Sequence, residues 1–211
     1  MTTAAYPPLA IAPLERADRD DAVDVLTEAF LQEPWLRWTF ESHGDRFPGM
    51  LRALQTLSVD IRYGMGWPLF GAFLDDQMVG VVGTSIPGSG EWPKSLDDAY
   101  AEYCEMIGPE ATERLEKVAT LEHTNRPPGR NVEVGVIGVH PSARRRGIGR
   151  SLLSAVHDLS SQRADTTGVY LATTDQNNVR FYQGAGYQVL ITEPVVPGVD
   201  FWGMFRPHDE E

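Results

Sequence analysis

Residues 131–153 read Asn-Val-Glu-Val-Gly-Val-Ile-Gly-Val-His-Pro-Ser-Ala-Arg-Arg-Arg-Gly-Ile-Gly-Arg-Ser-Leu-Leu, and the residue pattern changes twice within them. Over 131–139, Val, Ile and Gly fill both parities, the composition of a strand covered on both faces. Pro141 has no N–H to give to a ladder and stops the run. A loop of Arg and Gly follows, after which Ile148, Leu152, Leu153, Val156 and Leu159 recur at helical spacing. The order strand, glycine loop, helix makes 131–139 the central strand of a domain that mixes sheet and helix.

Working outward, Asp18 is a helix N-cap with acids behind it, and Ala22, Val25, Leu26, Ala29 and Phe30 continue at helical spacing. Residues 34–38 read as an aromatic connector. A second helix carries Met50, Leu54, Leu57 and Ile61 on one face and ends near Gly64. Residues 69–74 and 78–86 are β-rich runs joined by the turn Asp75-Asp76-Gln77. Helical pattern returns over 93–123, interrupted at Gly108-Pro109, so 91–124 reads as a helical insert. Downstream come a strand at 169–173, a short helix at 178–183 ending near Gly184, and closing strands at 187–191 and 201–205 with Pro194 and Pro197 between them.

The 211 residues suit one domain with a real core, 1–211, with 1–10 and 207–211 read as mobile ends. The chain is 42% hydrophobic and 23% charged, and no run approaches the roughly 20 apolar residues of a membrane span. The first residues lack a basic region followed by an apolar core, so a cytoplasmic protein with no membrane partner is expected. Cys104 is the single cysteine, which excludes an internal disulfide and a multi-cysteine zinc site. It lies in a helix without a nearby cation, so a structural thiol is the reading, and no metal site is expected.

The net charge of -12 opposes nucleic-acid phosphates. Residues 15–33 hold seven acids against two arginines, and 91–122 hold nine acids against Lys94, Arg114 and Lys117. These stretches are either solvated helix faces or an acceptor side that attracts a cation.

Against this background the basic loop stands out. A loop that leaves a strand and opens a helix presents backbone N–H groups in one direction, and glycines allow a bulky anion to approach. Gly147 and Gly149 remove side chains, while Arg144, Arg145, Arg146 and Arg150 supply charge, so the loop reads as a pyrophosphate seat or as a tight turn with a solvated basic cluster. The spacing fits neither Gly-x-x-x-x-Gly-Lys-Ser/Thr nor Gly-x-Gly-x-x-Gly in a first βαβ unit, which removes nucleotide hydrolysis and hydride transfer.

What remains resembles the GNAT superfamily of N-acetyltransferases, whose acetyl-CoA loop reads Gln/Arg-x-x-Gly-x-Gly/Ala after a strand ending in Val-x-Pro. Here Val139-His140-Pro141 precedes Arg144-x-x-Gly147-x-Gly149, and Asn178, Phe181-Tyr182 and Gly186-Tyr187 follow at the family's downstream positions. The pattern is most similar to the puromycin N-acetyltransferase-like branch. The resemblance implies an α/β (α+β) fold: a mixed, mostly antiparallel sheet of six to seven strands, helices on both faces, and a V-shaped split for acetyl-CoA between 131–139 and 169–173. By the same resemblance, backbone of Ile137, Gly138 and Val139 pairs with pantetheine. Arg144, Arg145, Arg146, Gly147, Ile148, Gly149, Arg150 and Ser151 wrap the pyrophosphate, and Asn178, Phe181 and Tyr182 complete the donor site. Gly135 and Gly138 suit a strand bulge that frees backbone N–H groups.

A primary amine with a pKa of about 10 costs roughly 4 kcal/mol to present as free base at pH 7. By the resemblance, Glu133 is the first candidate to take that proton, since it lies eleven positions before Arg144, where histone-acetyltransferase-like members place a general-base glutamate, and a carboxylate among Val132, Val134 and Val136 should have a raised pKa. A salt-bridged Glu at the strand's start is the competing reading. The resemblance gives Tyr182 the role of protonating the departing thiolate, against packing beside Phe181 and Tyr187. His123 and His140 read as surface residues and His157 as lying on an outer helix face.

The expected activity is therefore direct acetyl transfer from acetyl-CoA to a primary amine, with a cationic small molecule as acceptor and no nucleic acid as partner. A homodimer is compatible with the resemblance. The rivals are a non-catalytic acyl-CoA-binding sensor and an RNA- or protein-directed acetyltransferase.

Overall fold

The computed structural model describes residues 8–88 and 90–208. Seven strands form one sheet in the order β1-β2-β3-β4-β5-β7-β6: β1 (Leu9–Pro13), β2 (Leu69–Leu74), β3 (Gln77–Ser85), β4 (Val132–Val139), β5 (Gly168–Thr173), β6 (Gln188–Val196) and β7 (Val199–Pro207). Every neighbouring pair is antiparallel except β4 and β5, which run parallel. This is the mixed, mostly antiparallel sheet expected. Six α-helices accompany it: α1 (Arg19–Phe30), α2 (Pro34–Thr39), α3 (Phe47–Met65), α4 (Lys94–Thr124), α5 (Ile148–Ser161) and α6 (Gln176–Gln183).

The helices divide between the two faces. Ile148, Leu152, Leu153 and Val156 of α5 pack on Ala72, Val79, Val82, Val132, Val134 and Leu171 of the sheet. On the other face Ala22, Val23, Val25 and Leu26 of α1 and Val59 of α3 meet Leu69, Val81 and Val136. A third cluster, with Leu36, Phe40, Leu51, Tyr103 and Ile107, joins α2, α3 and α4 outside the second layer. The two-sided apolar character of β4 thus reflects burial on both faces.

Several local expectations change. Residues 34–38 form helix α2, with Pro34 at its first turn, where a missing N–H costs nothing. The 75–77 turn narrows to Asp75-Asp76, both at positive φ (48° and 61°), as a tight antiparallel connection requires. Gly108, at φ 77° and ψ 168°, breaks the helical backbone of α4 just before Pro109, so the insert bends there. Pro194 lies within β6 and the turn falls at Pro197-Gly198; β6 is an edge strand, which tolerates a missing donor. The expected mobile ends are corrected at Leu9, Ala10 and Pro207, which pair in β1 and β7; residues 1–7 and 209–211 lie outside the described residues. No helix among the described residues is long and apolar enough to cross a membrane.

Candidate active site

The sheet opens at one place. β4 and β5 pair only over Val132↔Val169, Glu133↔Tyr170 and Val134↔Leu171. On the β3 side the register skips a residue, with Gly83 opposite Val136 and Thr84 opposite Val134, so Gly135 is the extra residue of a bulge. Its effect shows in the packing: Val132 and Val134 face α5, Val136 faces α1 and α3, and Ile137 returns to the α5 side. Past the bulge β4 leaves β5, and one edge of 135–139 has no strand partner. Gly135 as a bulge thus agrees with the sequence reading; Gly138 serves a different purpose, since a Cβ there would stand 2.8 Å from the Ala29 methyl of α1.

Glycine at 135 is required by space, not by φ. A Cβ on Gly135 would lie 2.1 Å from Arg62 Nη2, and one on Gly83 would lie 2.4 Å from Arg62 Nε. The Arg62 guanidinium therefore fills the hollow behind the bulge. It is 6% exposed, donates from Nη1 to Ser58 O (2.6 Å) and Ser58 Oγ (2.8 Å), and leaves Nε without a partner. Burial lowers its pKa to about 10, against the pull of Glu122 and Glu133.

The split is continuous with a cleft of about 460 Å³ lined by Gly135 to Val139 of β4, Leu171 to Thr173 of β5, and Arg144, Asn178 and Tyr182. Its other wall comes from Phe30, Glu33 and Trp35 near α1 and α2, from Val118 and Glu122 of α4, and from Phe201 of β7. Of the donor-site residues expected from sequence, Ile137, Gly138, Val139, Arg144, Asn178 and Tyr182 meet in this cleft. The remaining loop residues form its rim at the N-terminus of α5. Arg145 (φ 63°) and the N-cap Gly147 (φ 79°) turn the chain into the helix, whose first N–H groups have no intrahelical acceptors. Ile148 is buried and anchors the turn. A Cβ on Gly149 would lie 3.2 Å from the Phe181 ring, so α6 packs against the first turn of α5.

The arginines divide their work. Arg144 bridges the end of β4 and the end of α1, donating from Nη2 to Ala29 O (2.7 Å) and from Nε to Val139 O (3.4 Å). Arg150 donates to Gly184 O at 2.9 Å and ties α5 to the end of α6. Arg145 and Arg146 are exposed on the rim, and Ser151 lies in the first helical turn, its N–H donating to Gly147 O.

Asp175 caps α6 by accepting from Asn177 N–H (2.8 Å), and Asn178 Nδ2 reaches Thr173 Oγ1 at 3.4 Å. One turn on, Tyr182 is 6% exposed, with Phe181 and Tyr187 rings 5.2 and 5.9 Å away. Burial pushes its phenol pKa upward, and Glu33 and Asp175 add to that. Glu33 accepts from Thr174 Oγ1 at 3.0 Å and has its own pKa raised by burial.

Glu133 is buried on the α3 and α4 side of β4 and is ion-paired with Arg126 at 2.7 Å. It borders a separate cavity of about 360 Å³, with Trp67, Ser85, Asn131 and Tyr170. Beside the bulge, the carboxyl that lines the main cleft is Glu122. Burial, followed by the nearby Glu133 charge, pushes its pKa up to about 8, while Arg126 and Arg62 pull it down. Glu122 and Arg62 were missed in the sequence, yet each left a trace: Ala111, Leu115, Val118 and Glu122 share one helical stripe, as do Leu51, Gln55, Val59 and Arg62. A charge on an inward stripe is the signal.

The histidines stand away from this arrangement. His140 Nδ1 accepts from Ser142 N–H at 3.3 Å, His123 is exposed, and His157, expected on an outer face, meets Tyr187 Oη at 3.0 Å. Cys104 is a free, half-buried thiol in α4.

Residues 111–189 match a model of the acetyltransferase (GNAT) domain. No curated protein matches the sequence. Among solved structures, a protein from Corynebacterium glutamicum described as histone acetyltransferase HPA2 and related acetyltransferase is similar at TM-score 0.68 and 22% identity, covering 98% of each chain. An agmatine N-acetyltransferase in its apo form is similar at TM-score 0.64 and 17% identity, covering 94% of this chain and 99% of its own. A PaiA N-acetyltransferase from Thermoplasma acidophilum in complex with coenzyme A is similar at TM-score 0.58 and 16% identity, covering 95% and 99%. The matched segment lies in a seven-stranded sheet split at β4 and β5, so over 111–189 the chain is similar to the acetyltransferase (GNAT) domain, a family whose acyl donor is acetyl-CoA, and over its length it shares the fold of these solved acetyltransferases.

Proposed function

We propose that this protein is an N-acetyltransferase acting on a cationic small molecule with a primary amine. The observation that carries the reading is that the donor cleft runs from the β4 and β5 split into a wall bearing Glu33, Glu122 and Asp175, with Arg144 as the one cation on it among the described residues. Arg144 is held by two backbone carbonyls at the β4 end. An ammonium entering from the α1, α2 and α4 side therefore meets carboxyl oxygens that can accept its N–H groups. The two acidic stretches of the sequence each send a carboxyl into this wall, Glu33 from one and Glu122 from the other.

On the donor side the unpaired edge of Ile137, Gly138 and Val139 offers N–H and C=O groups to an extended amide chain. The α5 N-terminus, with Arg145 and Arg146 beside it, offers backbone donors and charge to phosphates, and Asn178 closes the far wall. When bound, acetyl-CoA supplies an acyl carbon activated by its thiolate leaving group. A β4 N–H freed by the bulge polarises the carbonyl. The Tyr182 hydroxyl stays protonated because burial disfavours its anion, so it can deliver a proton to the departing sulfur. The amine's proton leaves through the carboxylates behind the bulge, where Glu133 stands on β4. Polyamines, aminonucleosides, as in the puromycin-type branch, and aminoglycosides fit this acceptor class.

The test is a panel of primary amines that differ in charge, with acetylated product measured by mass spectrometry. Cationic amines should be acetylated and neutral or anionic ones poorly. Turnover confined to neutral or anionic acceptors, or tight coenzyme A binding with no product from any amine, would refute the proposal.

A further inference from the structure

Two carboxyls adjoin the Gly135 bulge, and they face different spaces. Glu122 lines the donor cleft beside Val118, Val134 and Gly135. Glu133 borders the second cavity with Arg126 and Tyr170. One oxygen of Glu133 is engaged by Arg126 Nη2 at 2.7 Å, and its side chain is 10% exposed. The Glu122 and Glu133 carboxyls are within hydrogen-bond reach of each other. The pair thus spans the wall between the cleft and the second cavity.

The surroundings are built to hold a proton on this pair. Arg126 follows just past the C-terminal end of α4, Arg62 approaches from α3, and Tyr170 from β5, a buried residue whose hydroxyl has no partner. Two adjacent carboxylates, Glu133 buried and Glu122 half-buried, repel each other, so one of them keeps a proton to higher pH than an isolated acid. Burial places that proton on Glu122, whose pKa rises to about 8, close to neutrality and suited to proton exchange there.

We infer that Glu122, carried by the bent insert helix α4, is the group that receives the proton of the acceptor ammonium, and that Glu133 passes it on to the second cavity. This assignment rests on the proposed amine acetylation. In the step, the ammonium N–H bond breaks, its electron pair stays on nitrogen, and the proton forms an O–H bond on the Glu122 carboxylate. The freed nitrogen pair attacks the acyl carbon, the C–S bond breaks with its electron pair on sulfur, and the nitrogen's second proton passes to that sulfur by way of the Tyr182 hydroxyl. The Glu122 O–H then donates to Glu133, and the proton leaves on the side of Arg126, Asn131 and Trp67, away from the donor. The cleft is thereby reset without water crossing the thioester.

Initial acetylation rates of the best cationic amine, measured from pH 6 to 10 for the full chain, test the relay. Wild type should gain kcat/KM along a limb centred near pH 8. Glu122→Gln should lose about 100-fold or more at pH 7, with the limb moved toward the amine's own pKa, so that the deficit shrinks at pH 10. Glu133→Gln removes the repelling charge and should move the limb to lower pH, the opposite direction. Glu122→Asp keeps the carboxyl and should restore part of the rate. Coenzyme A titration by calorimetry verifies that each variant keeps its donor site. A Glu122→Gln protein that binds coenzyme A and retains the wild-type rate and pH profile would overturn the assignment while leaving the proposed activity standing. Failure of wild type to acetylate any amine would overturn both.

Discussion

Substituting Gly135→Ala adds one methyl group behind the bulge, and the structure gives its cost. The new Cβ would stand 2.1 Å from Arg62 Nη2 and 3.3 Å from Cζ, far inside van der Waals contact, so the guanidinium must withdraw. Withdrawal breaks the Nη1 bonds to Ser58 O and Oγ at 2.6 and 2.8 Å, and a bond from a charged donor contributes about 1.5–3 kcal/mol. Gly135 is not at positive φ, so alanine meets no backbone penalty there, and the expected loss is about 3 kcal/mol, all of it transmitted through Arg62. Replacing Arg62→Met removes the obstructing head and a buried charge; that substitution alone should change stability by less than about 2 kcal/mol. In the Arg62→Met background the alanine has room and should cost about 0.5 kcal/mol. Urea unfolding of the four proteins closes a double-mutant cycle with an expected coupling of about 2.5 kcal/mol. Additivity within about 0.5 kcal/mol would refute the view that the bulge is shaped around the arginine.

Tyr182→Phe should lower kcat by about 10²- to 10⁴-fold with coenzyme A affinity kept, because the ring still packs on Phe181 and Tyr187 while the transferable proton is gone; steady-state kinetics with calorimetry checks both. Glu33→Gln should raise KM for a cationic amine about tenfold and leave coenzyme A binding unchanged, since it removes one charge from the acceptor wall. Glu122→Gln should alter the pH dependence of stability. The folded-state pKa of Glu122 is raised from 4.5 to about 8, so between those values the native protein binds the extra proton and wild-type stability falls as pH rises. The glutamine variant lacks that decline and should gain on wild type by the order of a few kcal/mol between pH 5 and pH 9 in urea unfolding.

Most of the donor side was legible in the sequence because it is local. Val139-x-Pro141, the Arg144 to Gly149 loop and the apolar stripe of 148–159 lie within thirty positions and meet through chain connectivity alone. Strand periodicity located β2 to β5, and Gly135 announced the bulge. Strand β1 escaped notice because five residues beside a proline carry too little pattern, and its pairing with β2 spans some sixty positions. Pro194 suggested a loop because a proline's effect in a strand depends on whether that strand has a second neighbour, which only the sheet order settles.

By itself, then, the sequence determined the strand-loop-helix that can seat a phosphate-bearing donor, the tyrosine downstream of it, and the acidity of two helical stretches, since each of these is written in short-range spacing and composition. The tertiary structure decided what each acid faces. Glu122, Glu133 and Arg62 come from α4, β4 and α3, and only packing places one carboxyl on the cleft and the other on Arg126. Burial and proximity, which set the proton affinity of Glu122 and the space that Gly135 must leave for Arg62, are properties of contacts between distant segments, and a linear spacing cannot encode them.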